Sequence, residues 1–222
     1  MTSARADESQ HPTEDPGMTP SIRPRWEWRI FESFPGPFID SVGSPAVEED
    51  ESIETYILSS ASPHNVKIRG GQLDVKVLQE TRAGDLELWR PVFKAQFPVD
   101  AGSLGPVRDA WGLPLPALLR SSYTLDQFLN DIVAAMPGLT ALTISKRRAH
   151  FTIAGCRAER AVIGVAEGRW DTLAVEDENP DNILLAQRAL GRALPRGSSY
   201  PAMLKRIADA SATLTPSMRT LV

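Results

Sequence analysis

A period-2 alternation of charged and apolar residues, repeated in segment after segment, constrains the fold of this chain more than any other feature. In the segment RPRWEWRIF, Trp26, Trp28 and Ile30 fall on one face, and charged residues fall on the other. Such alternation among aromatic and β-branched residues is typical of β-strands. Comparable patterns occur in ETYIL, NVKIRGGQLDVKVL, LELWRPVFKAQFPV, TISKRRAHFTI, CRAERAVIGV and DTLAVEDE. The sequence therefore predicts about eight short strands.

Turn and capping residues divide the chain into elements. Gly70-Gly71 predicts a hairpin turn, and Pro91 predicts a sheet edge or a bulge. Helix start signals stand at Thr124, which begins a capping-box pattern, and at Asn179-Pro180. The apolar stripe of a third helix runs from Pro201 to about Ala210. Because helices do not alternate with single strands, the order argues against a parallel doubly wound sheet and favours an α+β fold.

Length and composition favour one globular domain. The chain has 222 residues, of which 42% are hydrophobic and 23% are charged. We expect a disordered tail over residues 1–22, a single domain over 23–212 and a second tail over 213–222. The stretch from Pro35 to Ser52, which holds the acidic run Glu48 to Glu51, is predicted to be a solvated loop. Without a run of about 18 apolar residues or a signal-peptide core, the expected location is the cytoplasm, away from the membrane.

Several kinds of site are excluded because the residues they need are missing. Cys156 is the single cysteine, and His11, His64 and His150 are scattered without zinc-ligand spacing. A bound metal would therefore be hard and oxygen-liganded, such as Mg²⁺ or Mn²⁺. The net charge of −4 argues against broad nucleic-acid binding. The sequence contains neither a GxxxxGK(S/T) phosphate loop nor a GxSxG nucleophile elbow.

Charged residues of both signs occupy one face of almost every predicted strand. By strand they are Arg25, Glu27 and Arg29; Lys67 and Arg69; Asp74 and Lys76; Lys146 and Arg148; Arg157 and Glu159; Glu176 and Glu178. Any one strand would also fit an ordinary sandwich that turns a polar face to water. Together, however, the charged faces hold little threonine, and the opposite faces carry bulky residues that helices can cover. We therefore predict an antiparallel eight-stranded β-barrel, closed or nearly closed, with a polar, basic interior and flanking helices.

A charged interior implies a ligand, because unpaired buried charge is very costly. Basic residues with a few carboxylates suit a polyphosphate whose oxygens are shared between the basic side chains and a divalent metal ion. The predicted partner is therefore a small-molecule triphosphate or polyphosphate.

These residues resemble the CYTH, or triphosphate tunnel metalloenzyme, superfamily, which includes class IV adenylyl cyclases, thiamine and inorganic triphosphatases and fungal-type RNA triphosphatases. Glu27 and Arg29 match the second glutamate and the lysine of its N-terminal Glu-x-Glu-x-Lys strand, and Arg25 stands where the first glutamate belongs. The other matches are Lys67-Ile68-Arg69, Lys76, Lys146-Arg147-Arg148, Glu159 and Glu176-Asp177-Glu178. The resemblance covers about residues 23–210, apart from roughly 98–123.

The resemblance implies a role for each matched residue. The implied catalytic residues are Glu27, Glu176 and Glu178. The implied phosphate-binding residues are Arg29, Lys67, Arg69, Lys76, Lys146 and Arg148, and Arg90 is a further candidate for phosphate binding. The implied ligands of Mg²⁺ or Mn²⁺ are Glu27, Glu159, Glu176 and Glu178. Asp177 and Arg147 are one residue out of register and are predicted to face away from the interior.

Three functions stay open at this point. The first is a metal-dependent hydrolase of inorganic triphosphate, thiamine triphosphate or a nucleoside triphosphate. The second is a binding protein that holds a phosphorylated ligand without turning it over, and Arg25 favours it because a cation replaces a metal-binding carboxylate. The third is a cyclase that acts on ATP. A homodimer and a monomer are both compatible with the sequence.

Overall fold

Eight antiparallel strands form a closed barrel, which confirms the predicted fold class. The computed structural model describes residues 23–32, 48–165, 168–191 and 194–214. In chain order the barrel strands are β1 (Arg25–Phe31), β2 (Glu48–Ser59), β3 (Asn65–Arg69), β4 (Gln72–Arg82) and β5 (Leu86–Gln96). A separate two-stranded sheet follows, made of β6 (Val99–Asp100) and β7 (Ser122–Tyr123). The barrel then resumes with β8 (Leu139–Ile153), β9 (Cys156–Val165) and β10 (Gly168–Asp177), and its order is β1-β10-β9-β8-β2-β3-β4-β5.

Four helices flank the barrel within the described residues, one more than the sequence predicted. They are α1 (Gly105–Trp111), α2 (Leu125–Gln127, continuing as a π-helix over Phe128–Val133), α3 (Pro180–Ala189) and α4 (Tyr200–Leu214). The additional helix, α1, lies in the 98–123 region. The predicted capping box at Thr124 is present, since its hydroxyl accepts a hydrogen bond from the Gln127 backbone N–H.

The local turn signals also produced the predicted geometry. Gly70 and Gly71 have φ of +55° and +70° and connect β3 to β4, a conformation that glycine adopts without steric cost. Opposite Pro91, the pairing of β4 with β5 shifts register between Val75 and Lys76. Pro91 therefore lies at a bulge, one of the two predicted alternatives.

Two parts of the outer face of the barrel are apolar and are covered by helices. Trp26, Trp28 and Ile30 of β1 pack in one cluster with Ile183 and Ala186 of α3, as predicted. A second outer cluster joins apolar residues of β3 and β4 to the 98–123 region and to α2. These parts of the wall are thus buried from outside, and the opposite faces of the strands line the interior.

The inward-facing residues change from charged to apolar along the strands. On β2 the charged Glu54 is followed by Leu58, and on β9 Glu159 is followed by Ile163. These apolar inward residues form one cluster with the N-terminal part of α4, including Tyr200. Helix α4 therefore closes one end of the interior, and the charged residues lie towards the other end.

One predicted loop is in fact a strand. The acidic run from Glu48 to Glu51 begins β2 and pairs with β8, with Asp50 opposite Arg148 and Glu51 opposite Arg147. Opposite charges across an antiparallel pair stabilise the ladder, an effect that the run of acidic residues alone did not reveal. The predictions for residues 1–22, for 33–47 and for most of 213–222 lie outside the described residues. No described helix is both long enough and apolar enough to cross a membrane.

Candidate functional site

The interior of the barrel contains a cavity of about 460 Å³ with charged walls. Among the described residues, nine basic and five acidic side chains line it, so the walls are basic although the whole chain carries a net charge of −4. The basic residues are Arg23, Arg25, Arg29, Lys67, Arg69, Lys76, Lys146, Arg148 and Arg157. The acidic residues are Glu27, Asp50, Asp74, Glu159 and Glu176.

Arg29 is the centre of a buried ion-pair network. Its Nε donates to Glu27 Oε1 at 2.8 Å, and its Nη1 donates to Glu159 Oε1 at 3.0 Å and to Thr172 Oγ1 at 3.1 Å. Lys146 Nζ lies 3.0 Å from the same Glu159 oxygen. Burial opposes ionisation of Glu159, but the two cations hold the pKa of that carboxyl well below its usual range. The network therefore keeps its charges without a ligand.

Glu54 neutralises a second group of cations and was missed by the sequence analysis. It is fully buried, its Oε2 lies 2.9 Å from Lys67 Nζ, and it accepts a hydrogen bond of 3.1 Å from the Tyr56 hydroxyl. Arg69 and Arg148 approach it at 3.7 and 3.8 Å. Against the effect of burial, Lys67, Lys146 and Arg69 lower the pKa of Glu54 to about 2. Burial lowers the pKa of Lys67 to about 8.

Arg148 also binds Asp50, which was predicted to lie in a solvated loop and was therefore not predicted as a site residue. Its Nη2 donates to Asp50 Oδ2 at 2.8 Å, and its Nε donates to Oδ1, so the pair is bidentate. The hydrogen bond from Arg148, the largest influence, lowers the pKa of the Asp50 carboxyl. Alternation in the segment after Asp50 could have revealed it, because Asp50 shares parity with Glu54.

Three glutamates stand side by side on neighbouring strands of the barrel. In the strand register Glu27 of β1 lies opposite Glu87 of β5 and opposite Glu176 of β10. Burial and the nearby Glu27 carboxylate raise the pKa of Glu87 to about 7 and also raise the pKa of Glu176. Burial also opposes ionisation of the Glu27 carboxyl, but Arg29 and Lys76 outweigh this effect and lower its pKa. Repulsion between the carboxylates makes this row a favourable place for a cation.

Three cavity cations have no carboxylate within ion-pair distance among the described residues. They are Arg25, Lys76 and Arg157. Their side chains are part-buried or exposed, so water can solvate them in the absence of an anion.

The structure brings together most of the predicted site but not all of it. Six of the predicted phosphate-binding residues line the cavity, namely Arg29, Lys67, Arg69, Lys76, Lys146 and Arg148. Arg90 is exposed on the other face of β5 and is not among the lining residues. Glu178 follows the end of β10, is exposed and pairs with Arg23 at 3.3 Å. Arg147 and Asp177 face away from the cavity, as predicted: Arg147 is exposed, and Asp177 accepts hydrogen bonds at the start of α3.

The carboxylates in the cavity can be tested for their fit to a magnesium or manganese ion. The described residues contain no group of three or more His, Cys, Asp or Glu arranged to hold a metal ion. Glu27 and Glu176 are nevertheless directly opposite each other, and their carboxylate oxygens are hard ligands. Mg²⁺ is usually bound by one or two carboxylates together with substrate phosphates. The residues thus fit an ion that arrives with a phosphate ligand better than a permanently bound one.

Comparison with known proteins supports the fold. No protein-family model matches the chain, and no curated protein matches it. A conserved hypothetical protein from Pyrococcus furiosus has a similar structure, with a TM-score of 0.50, 16% identity, and coverage of 80% of this chain and 98% of that one. A candidate adenylyl cyclase from Hippeastrum, described as having a dominant triphosphatase activity, has a TM-score of 0.48, 13% identity, and coverage of 82% and 95%. A protein from Pyrococcus horikoshii has a TM-score of 0.47, 16% identity, and coverage of 78% and 94%.

The likeness to the Pyrococcus furiosus protein establishes a shared fold alone, because 16% identity is too low to transfer an activity. The barrel that the CYTH resemblance implied is confirmed by the strand order. Membership of that superfamily stays a prediction.

Proposed function

We propose that this protein is a metal-dependent phosphohydrolase that acts on a triphosphate-containing substrate bound inside the barrel. The observation that carries the proposal is the cavity of about 460 Å³, which nine basic side chains of the described part of the chain line although the net charge is negative. Such a cavity suits a small anion with several charges, which can contact many cations at once. Inorganic triphosphate, thiamine triphosphate and nucleoside triphosphates are the candidate substrates.

The internal ion pairs indicate how the site would change when it binds a phosphate chain. Arg29 and Lys146 share Glu159, and Lys67 is held by Glu54, so each of these cations already has an anionic partner. Phosphate oxygens would accept the hydrogen bonds that these cations now donate to carboxylates. A metal ion would offset the negative charge of the carboxylates that lose those partners. An anion that arrives with a divalent cation therefore keeps the buried charge balanced.

Glu27 and Glu176 are the residues that would hold Mg²⁺ or Mn²⁺. When bound, such an ion neutralises phosphate charge and polarises the scissile phosphoryl group. The contribution of the chain is to bind and orient the phosphate groups through Arg29, Lys67 and Lys146. All three side chains are at most 12% exposed, so their interactions with an anion are little screened by solvent.

A second candidate function is the binding of a phosphorylated ligand without turnover. Two observations favour it: Arg25 lines the cavity where the resemblance expects a glutamate, and Glu178 lies outside it. A site with fewer carboxylates would still bind an anion through its cations. The two functions differ in whether phosphate is released.

The test is a phosphate-release assay on the three candidate triphosphates with Mg²⁺, Mn²⁺ or EDTA. We expect metal-dependent release by the wild type and a loss of roughly 100-fold or more in Glu176→Gln, because one of two metal-holding carboxylates is removed. Glu178→Gln is the matched variant on the same segment, and we expect it to lose far less because Glu178 is exposed.

Thermal stabilisation by inorganic triphosphate without release would replace the hydrolase with the binding protein, and a cyclic product from ATP would identify a cyclase. If the protein shows no phosphate release and no thermal stabilisation, both proposed functions are refuted. Equal losses in the two glutamate variants would show that Glu178 joins the site in the bound state.

A further inference from the structure

Tyr200, the first residue of α4, lies at the closed end of the cavity and is fixed from several sides. It is 5% exposed, and its ring lies 5.4 Å from Phe31 in an edge-on arrangement and 5.5 Å from Tyr56. The Arg29 guanidinium is 4.4 Å from the ring centre, and Lys146 Nζ is 4.7 Å from it. These contacts hold the ring in one place beside two cations that the proposed function assigns to phosphate binding.

The Tyr200 hydroxyl is buried and has no hydrogen-bond partner among the described residues. Tyr56 provides a direct comparison in the same cavity, because its hydroxyl donates to Glu54 at 3.1 Å. An unsatisfied buried hydroxyl costs free energy, and in native proteins such groups are uncommon. A partner that enters the cavity would remove that cost.

The surroundings indicate the chemistry of that partner. Arg29 and Lys146 lie against the faces of the ring, where they are attracted to its π electrons. Burial, together with Glu159, Glu54 and Glu27, raises the pKa of the Tyr200 hydroxyl, which therefore stays protonated and can donate. A donor in a cavity lined by cations is complementary to the oxygen of an anion.

We propose that the Tyr200 hydroxyl is a phosphate-binding group that donates a hydrogen bond to the innermost phosphoryl group of a phosphate chain in the cavity. This inference rests on the proposed function, since it assumes a phosphate ligand. It also assigns the direction of binding. Tyr200, Arg29 and Lys146 are each at most 5% exposed, whereas the side chain of Arg69 is 38% exposed. The free end of the phosphate chain lies at the floor formed by α4, and any organic group lies towards the more exposed end, where Arg69 lies.

The test uses Tyr200→Phe, which keeps the ring and its contacts and removes only the hydroxyl. Isothermal titration calorimetry in EDTA would measure the affinity for inorganic tripolyphosphate without turnover. We expect roughly tenfold weaker binding, the usual value of one hydrogen bond to a charged acceptor. Tyr123→Phe is the control for affinity, because Tyr123 lies in the apolar cluster under α1 and α2 and does not line the cavity.

Thermal unfolding without ligand separates a binding role from a structural one. Tyr56→Phe removes a partnered hydroxyl and is expected to lower the melting temperature, whereas Tyr200→Phe removes an unpartnered one and is expected to leave it unchanged or raise it. Unchanged affinity in Tyr200→Phe would overturn the inference and leave the proposed function intact. Weaker binding accompanied by a melting temperature as low as that of Tyr56→Phe would also overturn it, in favour of a structural role.

The direction of binding has its own test. Methyl triphosphate, which has one free end, is expected to lose as much affinity in Tyr200→Phe as tripolyphosphate, because its free end still reaches the floor. If Tyr200→Phe binds methyl triphosphate as tightly as the wild type does, the assigned direction is overturned. If the wild type binds none of these phosphates, either in EDTA or with Mg²⁺, the proposed function fails, and the inference fails with it.

Discussion

The cavity contains two groups of basic side chains that differ in how their charge is balanced. The paired group has a carboxylate within hydrogen-bond distance of every member and consists of Arg29, Lys67, Lys146 and Arg148. The unpaired group has no carboxylate within ion-pair distance among the described residues and consists of Arg25, Lys76 and Arg157. Members of the paired group are at most 12% exposed, whereas the unpaired side chains are in contact with solvent.

The difference follows from the cost of removing charge from water. A cation at 4 or 5% exposure needs a fixed counter-charge, so Arg29 and Lys146 are held by Glu159 even without a ligand. A solvated cation needs none, so its charge is not committed to a carboxylate and can attract an incoming anion. The paired group therefore contributes to stability as well as to the site, and the unpaired group contributes mainly to anion binding.

The largest effect is expected from removing the counter-charge of the paired group. Glu54→Gln keeps the shape of the side chain but leaves Lys67 without its carboxylate at 2.9 Å and removes a negative charge near Arg148. We expect the free energy of unfolding to fall by about 3–5 kcal/mol, the usual cost of breaking a buried ion pair from one side. Urea denaturation would measure it.

The matched control for this variant is Glu51→Gln, on the same strand and exposed on the outer face. Its effect is expected to stay within about 0.5 kcal/mol. Inorganic tripolyphosphate is expected to restore part of the stability of Glu54→Gln, because it supplies negative charge to the same cations. A loss in Glu54→Gln no greater than that of Glu51→Gln would show that the paired group does not need its carboxylates.

The next effect concerns the unpaired group and should appear in affinity instead of stability. Lys76→Ala and Arg157→Ala are each expected to weaken tripolyphosphate binding roughly tenfold, the scale of one charge-assisted contact. Each is expected to lower the free energy of unfolding far less than Glu54→Gln does, since neither residue has an ion-pair partner among the described residues. Calorimetry at two salt concentrations would measure affinity and its screening.

Arg147→Ala is the control for the unpaired group, because Arg147 carries the same charge but is exposed outside the main cavity. We expect its affinity for tripolyphosphate to match that of the wild type. If Arg147→Ala weakens binding as much as Arg157→Ala, the attraction belongs to the whole surface and the cavity has no special role.

Much of this comparison was accessible from the sequence because strands place alternate residues on opposite faces. The alternation in β1, β3, β8 and β9 correctly predicted which charged residues face inward, and the bulky Trp26 and Trp28 correctly predicted an outer face covered by a helix. A closed barrel followed from these two observations together. Each depends only on local periodicity, which a sequence shows directly.

The pairing of the charges was not accessible, because it depends on register between strands that are distant in sequence. Glu54 meets Lys67 and Arg148 only after β2 has paired with both β3 and β8. Asp50 was assigned to a loop because a run of acidic residues looks solvated until the opposite strand is known. Glu87 and Tyr200 belong to no charged motif, and tertiary structure alone brings them to the site.

The smallest expected effect is on the pH dependence of stability and concerns Glu87. Like the unpaired cations, this acid has no ion-pair partner among the described residues. It lies beside Glu27 in the register and accepts a hydrogen bond of 3.1 Å from Trp89 Nε1. Burial and Glu27 raise its pKa from 4.5 to about 7. The folded protein therefore keeps a proton that the unfolded chain gives up, so stability falls as pH rises from about 4.5 to 7 and this contribution then stays level.

Glu87→Gln mimics the protonated carboxyl at every pH and should remove this dependence. We expect the variant to be more stable than the wild type at pH 8 by about 1 kcal/mol, after allowance for solvent screening of a part-exposed group, and equal to it near pH 4.5. Glu80→Gln, at an exposed position, should show no such pH-dependent difference. If Glu87→Gln is more stable than the wild type by the same amount at both pH values, the variant improves packing. Protonation of Glu87 would then make no contribution to the pH dependence of the free energy of unfolding.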